Sequence, residues 1–132
     1  MRTLHGLHVN GFPNAFIVQV AQAANFIVNV PHNWSDAGDT IAAVVKHARG
    51  TGTRIIEATP DAQAKWVALV QTAVPGMAGA AADCTPGYYN NEGKGRDISG
   101  GFPSGYPLGP AAYFDYIDRW RRSGKFEGLT FA

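Results

Sequence analysis

A single cysteine, Cys84, leaves this 132-residue chain without an internal disulfide, which excludes a small stapled secreted scaffold. One thiol also cannot build a thiolate zinc site. Charge is scarce as well: Asp, Glu, Lys and Arg make up 16% of the residues, and the net charge is +1. No field of one sign is present to hold nucleic acid or an anionic membrane. The most apolar stretch, Ala15 to Val30, is interrupted by Gln19, Gln22, Asn25 and Asn29, and a membrane span needs about 20 apolar residues. The N-terminal run MRTLHGLHVNG lacks the charged-then-apolar layout of a signal peptide. A soluble protein in the reducing cytoplasm is the expectation. Phosphate-cradling and nucleophile motifs are missing too: there is no G-x-G-x-x-G, no P-loop and no G-x-S-x-G.

What the chain has in surplus is glycine and proline, 16 and 8 residues. Most of them lie between Pro75 and Gly109, together with Tyr88, Tyr89, Phe102 and Tyr106. A connection of that length without regular structure is usually functional or disordered, and its aromatics favour a packed loop. Glu92 and Asp97 flank Lys94 and Arg96 there, a set of compensating loop charges.

Around this loop the periodicity predicts an α/β arrangement. Phe16-Ile17-Val18 follows the turn cluster Gly11-Phe12-Pro13-Asn14 and reads as a strand covered on both faces. Phe26 to Val30 is a second extended candidate, stopped by Pro31. From Asp36 to Arg49, the stripe Ala37, Ile41, Val44, Val45 and Ala48 predicts a helix capped by Ser35 or Asp36 and stopped at Gly50 or Gly52. Asp36 and Asp39 would suit its positive end, and His47 its negative end. Arg54 to Ala58 reads as a short strand. Thr59-Pro60 then opens a helix with Ala62, Trp66, Leu69, Val70 and Ala73 inward. Pro110 opens the last helix, which buries Tyr113, Phe114, Ile117 and Trp120, carries the i,i+4 pairs Asp115–Arg119 and Asp118–Arg122, and ends at Gly124. His5 and His8, three apart on an extended segment, would face opposite sides and make no metal pair. Cys84 has no local activating partner, so an inert thiol is expected.

The string Gly11-Phe12-Pro13-Asn14-Ala15-Phe16-Ile17-Val18-Gln19 resembles a strand of class B flavoprotein monooxygenases of the Baeyer–Villiger type, in the 4-hydroxyacetophenone monooxygenase-like branch. Asn29-Val30-Pro31-His32-Asn33, Thr40 to Val45, Cys84 to Gly93, Ala112-Tyr113-Phe114 and Phe126 to Leu129 agree with it in order. The resemblance implies a C-terminal fragment of a flavoprotein with two dinucleotide-binding domains. Residues 1–53 would be the last strand and helix of the FAD-binding domain, and 54–132 a C-terminal extension of helices and the long loop. It also implies that FAD and NADPH serve the complete enzyme, that an upstream polypeptide holds them, and that one oxygen atom is inserted into a ketone to give an ester or lactone. Cofactor-contact candidates are Gln22, Asn25 and Asn29 beside the flavin, and Tyr88, Tyr89, Asn90 and Asn91 on the loop that covers the nicotinamide. Val20 stands where many relatives carry glycine. No catalytic residue, metal, nucleic acid or membrane partner is expected, and the isolated chain is expected to be inactive. The alternative is a stand-alone, non-enzymatic binding or interaction module descended from such a tail.

Overall fold

The computed structural model describes residues 2–19, 22–24, 28–73, 85–87 and 105–132. Among these residues it has three helices, α1 (Val30–Thr51), α2 (Pro60–Gln71) and α3 (Pro110–Ser123), and two short strands, β1 (Ile56–Ala58) and β2 (Leu129–Phe131). The strands pair antiparallel, Ile56 opposite Phe131 and Ala58 opposite Leu129.

Local chemistry sets each helix end. Thr59 accepts from the Ala62 N–H, with Pro60 in the first turn of α2. Gly109, at φ 87°, precedes Pro110 of α3, and Gly124 stops it in the left-handed conformation at φ 65°. Gly52 ends α1 in the same way, at φ 72°.

The start of α1 corrects the sequence reading. Pro31 does not stop a strand; it sits in the first turn of a 22-residue helix whose cap is Asn29, not Ser35 or Asp36. A proline there forfeits no helical hydrogen bond, because the first N–H groups have no intrahelical acceptor. Asp36 and Asp39 consequently lie beyond the first turn. Other inward faces differ in detail. On α1 the buried residues are Asn33, Thr40, Val44 and Ala48. On α2 Val67 is buried and Leu69 is 40% exposed. Asp118 pairs with Arg122 at 2.9 Å, whereas Asp115 makes no ion pair with Arg119.

Two apolar clusters share the interior. One joins Leu4, Ala23 and Ala24 to Ala58, Trp66, Val70, Tyr113 and Ile117. The other joins Val44, Ala48, Ile56, Trp120 and Phe126. Residues before and after position 53 are therefore packed into common cores. Phe16–Val18 does not join the sheet among the described residues. Phe16 forms a single bridge to His8, and Val18 is 47% exposed. A strand covered on both faces needs more polypeptide than the described residues supply.

Cys84, Asn25, Tyr88, Tyr89, Asn90 and Asn91, together with most of the Gly/Pro/aromatic loop, lie outside the described residues.

Candidate functional site

The family-like motif Gly11 to Asn14 is built as an anchor. Asn14 adopts φ 60°, a conformation asparagine tolerates better than most residues. Its side chain then imitates backbone: Oδ1 accepts from the Ile56 N–H at 3.0 Å and Nδ2 donates to the Arg54 carbonyl at 3.0 Å. Its own N–H donates to the Ile56 carbonyl at 2.8 Å. One side chain thus closes the edge of β1 that β2 leaves open. Beside it, Asn10 Nδ2 donates to the Ala58 carbonyl, and the Gly11 N–H donates to Glu57 Oε1 at 2.7 Å. Phe12 projects at the tip, 63% exposed.

Gln22, Ala23 and Ala24 form a buried turn. Gln22 is fully buried at φ 57°. Its Oε1 accepts from both the N–H and the hydroxyl of Thr3, at 2.9 and 2.6 Å. Its carbonyl accepts from the Trp66 indole at 2.9 Å, and the Ala23 carbonyl accepts from the Tyr106 N–H at 2.9 Å. Asn29 is exposed and spends its Oδ1 on the His32 N–H as the α1 cap. Asn33, buried on that helix, donates to the Gln19 carbonyl at 3.0 Å. Of the seven cofactor-contact candidates, Gln22 and Asn29 are thus placed, seven residues apart in sequence, each with its side-chain oxygen already engaged.

The histidine pair is not arranged as the sequence reading had it. Leu4-His5-Gly6-Leu7 is a tight turn with positive φ at both central residues, closed by the Leu7 N–H to Leu4 carbonyl bond. The extended segment that would have separated the imidazoles does not exist; both are buried. His5 sits edge-on to Trp66, Tyr116 and Trp120, with ring centroids 4.7–5.4 Å away. Its Nε2 lies 3.3 Å from the Tyr116 hydroxyl, and its carbonyl accepts from the Tyr113 hydroxyl. Neither His5 Nδ1 nor His8 Nε2 has a hydrogen-bond partner among the described residues. Burial, and then the neighbouring His8, lower the His5 pKa to about 3; burial lowers that of His8 to about 4. Burial likewise raises the Tyr113 phenol well above its ordinary range. No group of three or more metal-ligating side chains occurs among the described residues. The His47 ring packs edge-on against Phe126 and Phe131.

A cavity of about 10 Å³ lies between these parts, lined by His5, Gln19, Ala23, Asn33 and Thr40 among others. That holds one water at most. Around it Arg121 clamps α3 to α1, with Nη1 bound to the Asp36 carboxylate, the Asp36 carbonyl and the Thr40 hydroxyl at 2.9–3.1 Å. Sequence spacing could not find this clamp, because Arg121 reads as an ordinary last-turn cation.

The described residues do not fit a dinucleotide by themselves. A pyrophosphate is held by free N–H groups at a helix N-terminus behind a glycine loop. The N-terminus of α1 is instead capped by Asn29 and carries Pro31, which has no N–H to give, in its first turn. Large apolar side chains also remain in water, Leu108 at 77% and Trp34 at 52% exposure beside Phe12 and Val18.

Comparison with known proteins accounts for that incompleteness. The chain matches the C-terminal portion of flavoprotein monooxygenases, over about a fifth of their length. Within that class it is homologous to the Baeyer–Villiger monooxygenases. A Baeyer–Villiger monooxygenase of Streptomyces coelicolor is 40% identical over 129 residues, a match covering 98% of this chain and 21% of that protein. FAD-binding monooxygenase hmp7 of Hypomyces subiculosus is 38% identical over 130 residues, with 96% and 21% covered. Among solved structures, the polycyclic ketone monooxygenase of Thermothelomyces thermophila superposes with a TM-score of 0.82 at 26% identity, over 100% of this chain and 21% of that one. A steroid monooxygenase bound to NADP shares the fold, with a TM-score of 0.73 at 21% identity, over 99% and 23%. No protein-family profile matches the chain. No helix among the described residues is long and apolar enough to cross a membrane.

Proposed function

We propose that this chain works as the C-terminal part of an FAD- and NADPH-dependent Baeyer–Villiger monooxygenase and is inactive until an upstream polypeptide supplies the dinucleotide sites. The carrying observation is coverage: nearly every residue here aligns with a relative of which it spans 21%.

In this reading the reduced flavin, recharged by NADPH, supplies the oxygen chemistry that converts a ketone to an ester or lactone. The chain itself positions and excludes. Residues 1–53 complete the FAD-binding domain, with the Gln22–Ala24 turn and Asn29 on its flavin side and Asn25 between them. Residues 54–132 brace that part through Trp66, Tyr113 and Trp120, and Tyr88, Tyr89, Asn90 and Asn91 meet the nicotinamide.

The test is complementation. The purified chain alone, mixed with FAD and desalted, should be colourless. Produced with the remainder of the Streptomyces coelicolor enzyme, it should give a yellow complex that oxidises NADPH. Flavin retained by the chain alone, or a colourless and inactive mixture with that partner, overturns the proposal. The second of these results, from a monomeric and cooperatively melting chain, favours a stand-alone binding module.

A further inference from the structure

Helix α1 carries a second apolar face beside the one it buries. Its inward residues, Asn33, Thr40, Val44 and Ala48, occupy one side. At about 100° per residue, Trp34, Gly38, Ile41 and Val45 share an adjacent arc roughly 60° wide. None of these four is charged. Asp39 and Lys46 lie on the far side, and Arg49 borders the arc only at its C-terminal end. Trp34 is 52% exposed and, like Ile41, joins neither apolar cluster.

Gly38 stands in the middle of this face. After proline, glycine is the costliest residue inside a helix, and the described residues give no reason for it here. Its φ is not positive, and a Cβ on it would meet no atom of those residues within 4 Å. Gly128 is the contrast: a Cβ there would lie 2.8 Å from the Ala62 Cβ, so the chain's own packing requires that glycine. At position 38 the missing side chain leaves a notch between Trp34 and Ile41. Such a notch admits a closely approaching backbone or one large apolar side chain.

Coverage points to what fills it. The chain corresponds to the C-terminal portion of proteins of which it spans 21%, so most of such a protein lies ahead of it in sequence. An uncharged face also suits a partner that stays attached, because charged residues are depleted at the cores of lasting interfaces.

We propose that the Trp34–Gly38–Ile41–Val45 face of α1 is the docking surface for the upstream polypeptide, an apolar segment of which crosses the helix at Gly38. The assignment rests on the functional reading above.

The test fills the notch. The chain, labelled with a fluorophore at its N-terminus, is titrated with the remainder of the Streptomyces coelicolor enzyme and followed by anisotropy. Gly38→Arg should weaken association about tenfold or more, the loss expected at the centre of an interface. Alone, that variant should melt no lower than wild type, because arginine is a better helix former than glycine. Asp39→Arg, one residue away on the far side, should bind within about twofold of wild type. Trp34→Gln should weaken association in the same direction and stands in if Gly38→Arg does not fold. Wild-type affinity in both Gly38→Arg and Trp34→Gln overturns the docking surface and leaves the functional reading intact. A lowered melting temperature of Gly38→Arg alone overturns it too, since the chain's own residues would then cover the notch. So does a wild-type chain that self-associates through this face, with Gly38→Arg breaking that dimer and not the complex. A wild-type chain that does not associate with the remainder at all overturns both the surface and the functional reading.

Discussion

Acid should destabilise this chain through His5 and His8. In the folded chain both imidazoles are neutral, with pKa values near 3 and 4; in the unfolded chain each takes up a proton near its ordinary 6.5. The unfolded state therefore binds more protons below that value. Stability is at its full level above about pH 7 and falls as the pH drops from 6.5 toward 4. At pH 4.5 each histidine has lost about 2.7 kcal/mol, at roughly 1.36 kcal/mol per pH unit, so the pair removes about 5 kcal/mol. That equals the whole stability of a weak domain. The assay is urea unfolding followed by tryptophan fluorescence at pH 7.5, 6, 5 and 4.5. The slope of stability against pH should approach two protons between pH 6 and 4.5. His8→Phe, beside Phe16 and Trp120, should reduce it toward one. A slope unchanged by His8→Phe, or an imidazole NMR titration in the folded chain centred above pH 6, refutes the reasoning.

Asn14→Ala should cost about 2 kcal/mol, since it strips two hydrogen bonds from β1 and leaves the Ile56 N–H and the Arg54 carbonyl to find water; equilibrium unfolding at pH 7.5 measures it, and a loss under 0.5 kcal/mol would deny the anchor role. Gly128→Ala should destabilise by about 2 kcal/mol or more, because a Cβ there would lie 2.8 Å from the Ala62 Cβ on a backbone held at φ 93°. An unshifted melting temperature would contradict that.

Elements whose signals are local were legible in the sequence. Thr59-Pro60, Pro110 and Gly124 mark their helix ends correctly because caps act within one turn. The start of α1 was misplaced, although Asn29 followed by a proline is itself a cap signal; the apolar residues before it made Pro31 look like a strand stop. Asn33 and Thr40 were invisible as inward residues, since the partners that satisfy them, the Gln19 carbonyl and Arg121, lie 14 and 81 residues away. The His5–His8 turn was hidden for a related reason. His5-Gly6 adopts two positive φ values in a turn whose His5 carbonyl accepts from the Tyr113 hydroxyl and whose imidazole packs against Trp66 and Trp120, all of them distant in sequence. Of the candidate site, composition and spacing gave no cofactor loop, and the family resemblance alone pointed to the flavin. Trp66 was legible as a core residue but not as the donor to Gln22, because nothing in a helical stripe tells which indole N–H will meet a carbonyl.

The pairing of β1 with β2 also fixes the order of events during synthesis. Thr130, whose hydroxyl donates to the Glu57 carbonyl, is translated 73 residues later than Glu57. A ribosome at work on this chain therefore carries Ile56–Ala58 with one flank bare until β2 emerges, after the whole glycine-rich stretch has been made. Stalled or prematurely released products display that bare flank beside a half-assembled aromatic interior, and are natural clients for holdase chaperones and proteases.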